Sequence, residues 1–184
     1  MKSVLSAMLL LSASVALPTD HNNMGAGRPL RFDDAYSIAF GERAFEFGLS
    51  LDAVRRRGPE YGLKTEFKYG LAKNQDLGIA FEPRYSTSGR RGDFGHTEVS
   101  YFHGLRREIG NQPALGYRID VGLPTALDSR GADLRLRGIL TKAVGAYDRI
   151  HANLDVSTRT APSDGKRRTT FGAILGDSTP IGYP

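Results

Sequence analysis

Apolar and polar residues alternate along most of this chain, and residues 61–71 give the clearest example. Successive side chains of a β-strand point to opposite faces, so such alternation gives a strand one apolar face and one charged face. One face of this segment would carry Tyr61, Leu63, Phe67, Tyr69 and Leu71, and the other Lys64, Glu66 and Lys68. The segment is therefore predicted to be a strand that separates two environments of different polarity.

Eight segments have this two-residue period and are bounded by Gly, Pro, Asn or Asp. The predicted strands span residues 44–51, 61–71, 77–85, 96–105, 114–123, 133–144, 149–157 and 170–176. The first, third, fifth and seventh connections are long, whereas the second and sixth are short, as in outer-membrane barrels with long outer loops and short periplasmic turns. The pattern predicts an all-β fold, an antiparallel up-and-down transmembrane β-barrel. This chain would supply about eight strands, either alone or as part of a larger barrel.

The first residues have the features of a secretory signal peptide. Lys2 gives the positive start, a mainly apolar run extends over residues 4–15, and Ser14-Val15-Ala16 is a suitable cleavage site. The run is shorter than the ~20 residues that a spanning helix needs. We expect a signal peptide over residues 1–16, an N-terminal arm over 17–43 and the barrel domain over 44–184. The expected location is the outer membrane of a Gram-negative bacterium.

A membrane barrel points its apolar face toward lipid and its charged face toward the lumen. This orientation predicts nine lumen-lining residues: Lys64, Glu66, Lys68, Glu82, Arg84, Arg118, Asp120, Arg135 and Arg137. Their charges have both signs and can pair across neighbouring strands. A soluble periplasmic calyx that binds a lipid would have the opposite orientation, with its apolar face inside. Alternation alone leaves both orientations open.

Composition narrows the possible partners. Gly accounts for 22 of 184 residues, which favours many turns and small inward-facing side chains, and the lack of Cys excludes disulfides. The net charge is +5, but the basic residues are dispersed, so we expect no nucleic-acid partner. Arg-rich spots in the predicted loops are either solvated or in contact with lipopolysaccharide phosphates. These spots are Arg55-Arg56-Arg57, Arg90-Arg91 and Lys166-Arg167-Arg168. Outer-membrane lipid, lipopolysaccharide and the barrel assembly machinery are the expected partners.

Two rows of polar residues have the side chains that hydrolytic chemistry needs. They are His151, Asn153 and Asp155 on one predicted strand, and His96, Glu98 and Ser100 on another. Envelope enzymes can combine His with Ser and an acid, but hydrogen-bonded residues of a polar lumen produce the same pattern. The four His residues lack the spacing of metal ligands. We expect no catalytic residue, no metal and no cofactor.

The start of the predicted mature chain carries a recognisable motif. Arg28-Pro29-Leu30 is followed by Asp33-Asp34-Ala35, then by Gly41 and Glu46. Further along stand Pro124-Thr125, Thr141-Lys142 and His151-Ala152-Asn153-Leu154. Together these segments, within residues 28–176, resemble a family of Gram-negative outer-membrane proteins described as transporters or as related to a phenol-degradation (MetA) pathway protein. The chain departs from that family at Phe45-Glu46-Phe47, where E-x-E-x-G is usual.

The resemblance implies a β-barrel and a role in transport, without a known substrate and hence without binding residues. Asp33 and Asp34 could hold a cation, or they could contribute to packing of the arm or to a turn. Members of the family continue through further strands, and this chain ends at Pro184 rather than at an aromatic residue, so we expect a C-terminal truncation. The alternative is that eight strands close into a small barrel whose interior is nearly filled by side chains.

The expected function is that of a passive transporter or channel for small hydrophobic or aromatic compounds. We do not expect an enzyme. The alternatives are a non-conducting barrel with a structural or surface-interaction role, and the soluble calyx described above.

Overall fold

The computed structural model describes residues 32–52, 58–88, 91–127, 129–145, 148–162, 165 and 167–179. Eight strands follow one another in a single antiparallel up-and-down sheet, so the predicted all-β fold is confirmed. The strands are β1 (Arg43–Asp52), β2 (Glu60–Ala72), β3 (Gln75–Ser86), β4 (Arg91–Arg106), β5 (Ala114–Leu123), β6 (Asp133–Val144), β7 (Asp148–Arg159) and β8 (Thr169–Ser178). Within the described residues, no helix is long and apolar enough to cross a membrane. The predicted signal peptide lies outside them.

Strand β4 differs from its predicted extent because it begins at Arg91 rather than at His96. Its first residues pair with the end of β3, so only residues 87–90 connect the two strands and the predicted long third connection is wrong. The ladder is irregular at Pro83, which has no N–H to donate, and Gly95 adopts a φ of 70° beside it. The Gly and Asp residues around position 92 are typical of a turn, which explains the error.

The sheet curls into a half-barrel and does not close. Each strand contacts its neighbours in the chain, and β1 and β8 do not contact each other in the part of the chain that the structure describes. The alternative of a closed eight-stranded barrel is therefore not observed. The outer edges of β1 and β8 present backbone groups that no strand of this sheet pairs.

The two faces of the sheet differ in polarity, as the alternation predicts. The convex face exposes large apolar side chains, among them Phe45, Phe47, Leu49, Leu63, Phe67, Ile79, Phe81, Leu134, Leu136, Leu154, Val156, Phe171 and Leu175. The concave face is polar and mostly buried. A water-soluble protein has the reverse preference, because burial of apolar side chains drives its folding.

Residues 32–42 precede β1 and form an arm that lies on the concave face. Phe32, Ala35 and Ile38 are buried there. Ala35 packs in a small core cluster with Phe102, Ala114 and Ile139. Phe102 breaks the alternation of β4 in the sequence, and the arm is the reason, because it gives this inward-facing ring an apolar partner.

The two ends of the half-barrel are distinguished by their connections. We call the end formed by residues 73–74, 107–113 and 145–147 the short-turn end, and the other the long-connection end. At the short-turn end, β2 and β3 are joined by a two-residue turn in which Asn74 has a φ of 62°, a conformation that Asn tolerates. The arm enters β1 at the short-turn end.

Candidate functional site

The arm is bound to the concave face by hydrogen bonds between its backbone and side chains of the sheet. The Oδ1 atom of Asn153 accepts from the Asp33 N–H at 2.7 Å, and its Nδ2 donates to the Asp33 carbonyl oxygen at 2.9 Å. The Oγ1 atom of Thr141 accepts from the Ala35 N–H at 3.0 Å. Both Asn153 and Thr141 are fully buried. A buried backbone group needs a hydrogen-bond partner. Here side chains of the sheet supply it, in place of the backbone of a neighbouring strand.

Nearer to β1 the arm crosses to the other side of the half-barrel. The Ile38 N–H donates to Oδ2 of Asp76 on β3 at 3.3 Å, and the Gly41 N–H donates to the carbonyl oxygen of Gly70 on β2 at 2.8 Å. A side chain at position 70 would collide with the backbone of Ala39, so a glycine is required for this approach. The arm therefore spans from β7 to β2.

The outer end of the arm is fixed by an aromatic contact. The rings of Phe32 and His151 stack with centroids 4.8 Å apart and an interplanar angle of 23°. Gly176 on β8 leaves room for the Phe32 ring, with which a Cβ atom would collide. Both ring nitrogens of His151 are engaged, with Nδ1 3.1 Å from Thr141 Oγ1 and Nε2 3.0 Å from Ser178 Oγ. His151 thus connects β6, β7, β8 and the arm.

Arg137 on β6 forms an ionic contact with the arm. Its Nη1 lies 2.5 Å from Oδ2 of Asp33, while its Nε and Nη2 lie 2.6 and 2.8 Å from the two carboxylate oxygens of Asp155 on β7. The contact with Asp155 is bidentate, which is the geometry that suits a guanidinium best. Asp33 therefore serves in arm packing, one of the alternatives raised for it by the sequence.

A second ionic group crosses the half-barrel. Arg118 on β5 contacts Glu66 on β2 at 3.1 Å and Asp120 on its own strand at 2.6 Å. Asp120 also contacts Arg135 on β6 at 2.8 Å, and Arg135 lies 3.4 Å from Glu98 on β4. Arg118 and Glu66 are separated by two strands, so their contact is possible only because the sheet is strongly curled.

The remaining predicted lumen residues lie on the same concave face. Lys68 is 3.5 Å from Glu46, and Lys64 is 3.7 Å from Glu82. Arg84 contacts Glu82 at 3.3 Å but keeps 63% of its side chain exposed at the long-connection end. All nine residues are thus on one face and in ion pairs, while their role in lining a pore stays a prediction.

Each buried ion pair is stable only while both of its partners are present. Arg118, Arg137, Glu66 and Asp120 are all buried, and removing one partner would leave a charge without compensation, which is far more costly than replacing a whole pair. Cations and anions alternate across the face, so it offers a polar but largely neutralised surface. Such a surface can hold the arm in place and can present partly exposed charges to a solute at the long-connection end.

Five of the six residues in the two rows with possible hydrolytic chemistry make structural contacts. Each member of the His151 row binds the arm or Arg137, as described above. In the other row, Glu98 pairs with Arg135, and the Oγ atom of Ser100 occupies the space that a side chain at position 78 would need. Among the described residues, no three His, Asp or Glu side chains form a group that could hold a metal. That the protein is not an enzyme stays a prediction.

Several residues that contact the arm or His151 were not predicted from the sequence to do so. Thr141, Asp76 and Ser178 were not assigned a role, and Gly70 and Gly176 stood among many glycines. Their positions on the inward side of their strands were available from the alternation. What the alternation does not reveal is that an arm lies against them.

Fold and site together define an antiparallel β half-barrel with an apolar convex face and an ion-paired concave face that carries an N-terminal arm. Comparisons with protein-family models, with curated proteins and with solved structures gave no match.

Proposed function

We propose that this protein is an outer-membrane β-barrel protein that gives passive passage to small hydrophobic or aromatic compounds, and that this chain supplies half of the barrel wall. The polarity of the sheet is the observation that carries the proposal. Its convex face suits hydrocarbon and its concave face suits water. A soluble calyx, the alternative considered from the sequence, needs the opposite orientation.

The positions of the Tyr residues support membrane insertion. Tyr61 and Tyr85 pair directly near the long-connection end, whereas Tyr69, Tyr101 and Tyr117 lie near the short-turn end. Tyr101 and Tyr117 lie with ring centroids 6.2 Å apart. Amphipathic rings at both ends of an apolar band are typical of the two interfaces of a bilayer.

The proposal extends to the route and the surroundings of the protein. The chain is exported with cleavage after residue 16, inserted by the barrel assembly machinery, and placed with its short-turn end toward the periplasm. The Arg-rich segments of the first and seventh connections contact lipopolysaccharide phosphates; residues 55–57 and 166 of these segments lie outside the described residues. Arg91, predicted to lie in a loop, belongs to β4 instead. The motif of the N-terminal arm supports membership of the outer-membrane transporter family that it resembles.

A fractionation experiment tests the membrane part of the proposal. The full chain is expressed in a Gram-negative host, and we expect it to sediment with the outer membrane and to migrate faster on a gel before heating than after. A protein that is folded and soluble in the periplasm would overturn the proposal.

Ion selectivity in planar bilayers tests the passage. We expect Lys64→Glu to shift the permeability ratio toward cations, because Lys64 is partly exposed on the concave face. Arg167→Glu, an exposed residue in the connection between β7 and β8, is the control and should change the ratio less. Unchanged selectivity in a conducting Lys64→Glu protein would remove this face from the pore.

A non-conducting structural barrel is the second candidate function. The arm and the buried ion pairs occupy the concave face, and this observation favours a closed interior. A protein that inserts and folds but gives no conductance would support this candidate over passage.

A further inference from the structure

A cleft of about 460 Å³ opens at the short-turn end, between the arm and the turns of the sheet. The arm forms one wall with residues 36–40, and Lys73, Arg107 and Arg149 approach from three different parts of the sheet. Its volume is within the range of cavities that bind small molecules, about 300–1,000 Å³. The cleft uses none of the nine predicted lumen residues.

The cleft is cationic, and its cations form no ion pair with a carboxylate of the residues that the structure describes. Among the residues that line the cleft, Glu42 supplies the one carboxylate, and it accepts a hydrogen bond from the Ala39 N–H at 2.9 Å. None of Lys73, Arg107 and Arg149 forms an ion pair with an acidic residue within the described part of the chain. This contrasts with the concave face, where all nine predicted lumen residues are in ion pairs.

Two acids near the cleft, Asp34 and Glu108, are already engaged. Oδ1 of Asp34 accepts from the Tyr36 N–H at 3.3 Å. Glu108 lies close enough to Arg149 to interact electrostatically, but its Oε1 atom is 2.6 Å from Lys142 Nζ and also accepts from the Ala143 N–H at 3.1 Å. Arg107 is oriented by a hydrogen bond from its Nη2 to Asn74 Oδ1 at 3.1 Å. The positive charge of the cleft is therefore positioned but not neutralised.

The arm contributes aromatic surface beside these charges. The guanidinium carbon of Arg149 lies 5.6 Å from the centre of the Tyr36 ring, within cation–π distance. Burial raises the pKa of Tyr36 above its ordinary value of 10.0, so its hydroxyl adds no negative charge at neutral pH. The Phe40 ring is 73% exposed at the opening.

We propose that this cleft binds a small organic anion, namely a carboxylate on an aromatic body. The guanidinium groups of Arg107 and Arg149 would hold the carboxylate, since a planar fork matches its two oxygens, and Lys73 would add a third positive charge. Tyr36 and Phe40 would contact the aromatic body. Binding does not require membrane passage; the statement that such an anion is also the permeant rests on the proposed function.

Titration with 2-naphthoate tests the binding. The full chain is folded in detergent micelles, and its lack of Trp allows the fluorescence of the ligand to be followed without protein background at long wavelength. We expect saturable binding, weakened about tenfold by Arg149→Gln, because a charge-assisted hydrogen bond contributes on the order of a factor of ten. Arg91→Gln removes an exposed arginine at the other end of the half-barrel and should leave the affinity unchanged.

Lys73→Gln provides a second variant, and we expect it to keep the fold because Lys73 is an exposed turn residue. We expect it to weaken binding less than Arg149→Gln. Each variant is checked for folding by its unheated gel migration. Failure of 2-naphthoate to bind the folded protein, or equal affinity of all variants, would overturn the proposal whether or not the protein conducts.

Two further ligands separate the parts of the proposal. The neutral 2-naphthalenemethanol should bind more weakly than 2-naphthoate, and an equal affinity would overturn the ionic part. Inorganic phosphate should not displace 2-naphthoate at equal concentration. Displacement would show a general anion site, and the assignment to an aromatic carboxylate would be wrong.

Discussion

The side chain of Asn153 makes the hydrogen bonds to the arm that the backbone of a neighbouring strand would otherwise make. Its side-chain amide accepts from and donates to the backbone of Asp33, which is the pair of hydrogen bonds that a neighbouring strand would make. Only an amide side chain has both a donor and an acceptor in this arrangement. Because Asn153 is fully buried, water cannot take over either bond if the amide is removed.

We expect Asn153→Ala to lower the free energy of unfolding by about 2–6 kcal/mol, since two buried backbone groups lose their partners at roughly 1–3 kcal/mol each. Denaturant titration of the protein folded in detergent measures this change. Asn111→Ala is the matched control, because Asn111 is exposed at the short-turn end. Equal midpoints for the two variants would show that the arm does not depend on Asn153.

At the scale of elements, the strands could be predicted from the sequence because each one has an apolar and a polar face. Alternation identified all eight strands, and the limits of β5 and β6 were predicted to the residue. The extent of β4 was not, since the pairing of Arg91 with Ser86 depends on where β3 ends. The path of the arm could not be predicted either, because residues 32–42 have only weak periodicity and are placed by contacts with seven strands, β2 to β8.

The connection between β4 and β5 is fastened to β6 by one ion pair. A hydrogen bond from Lys142 lowers the pKa of Glu108 below its ordinary value of 4.5. A folded-state pKa below the unfolded one stabilises the protein at pH values above the unfolded pKa, and this stabilisation is lost as the pH falls through the folded pKa.

We therefore expect Glu108→Gln to destabilise the protein at neutral pH and to have little effect in acid. The measurement is the free energy of unfolding of both proteins from pH 7 down to the acid range. Glu60→Gln is the control, because Glu60 forms no ion pair with another described residue. A difference between wild type and Glu108→Gln that persists unchanged at low pH would contradict the assignment.

At the scale of the whole molecule, the environment of the convex face decides what kind of protein this is. Leu154 lies in the middle of β7 with 67% of its surface exposed. In water, an exposed leucine can be replaced by a charged residue at little cost. In a bilayer, an arginine near the midplane costs about 2–4 kcal/mol.

We expect Leu154→Arg to destabilise the protein folded in lipid vesicles by about that amount, 2–4 kcal/mol. Ile109→Arg is the control, because Ile109 is equally exposed but lies in the connection at the short-turn end, where the cost of a charge is close to zero. Urea titration in vesicles gives both values. Equal stability of the two variants would place the convex face in water.

The open sheet also restricts what can complete it. With eight antiparallel strands, β1 and β8 run in opposite directions. Any strands that close the barrel must therefore pair with two edge strands of opposite direction. Antiparallel pairing at both seams then requires an even number of added strands, whatever chain supplies them. A second copy of this half-barrel would satisfy that parity, with β8 of each copy beside β1 of the other around a twofold axis. An insertion or deletion of a single strand would force one seam to become parallel.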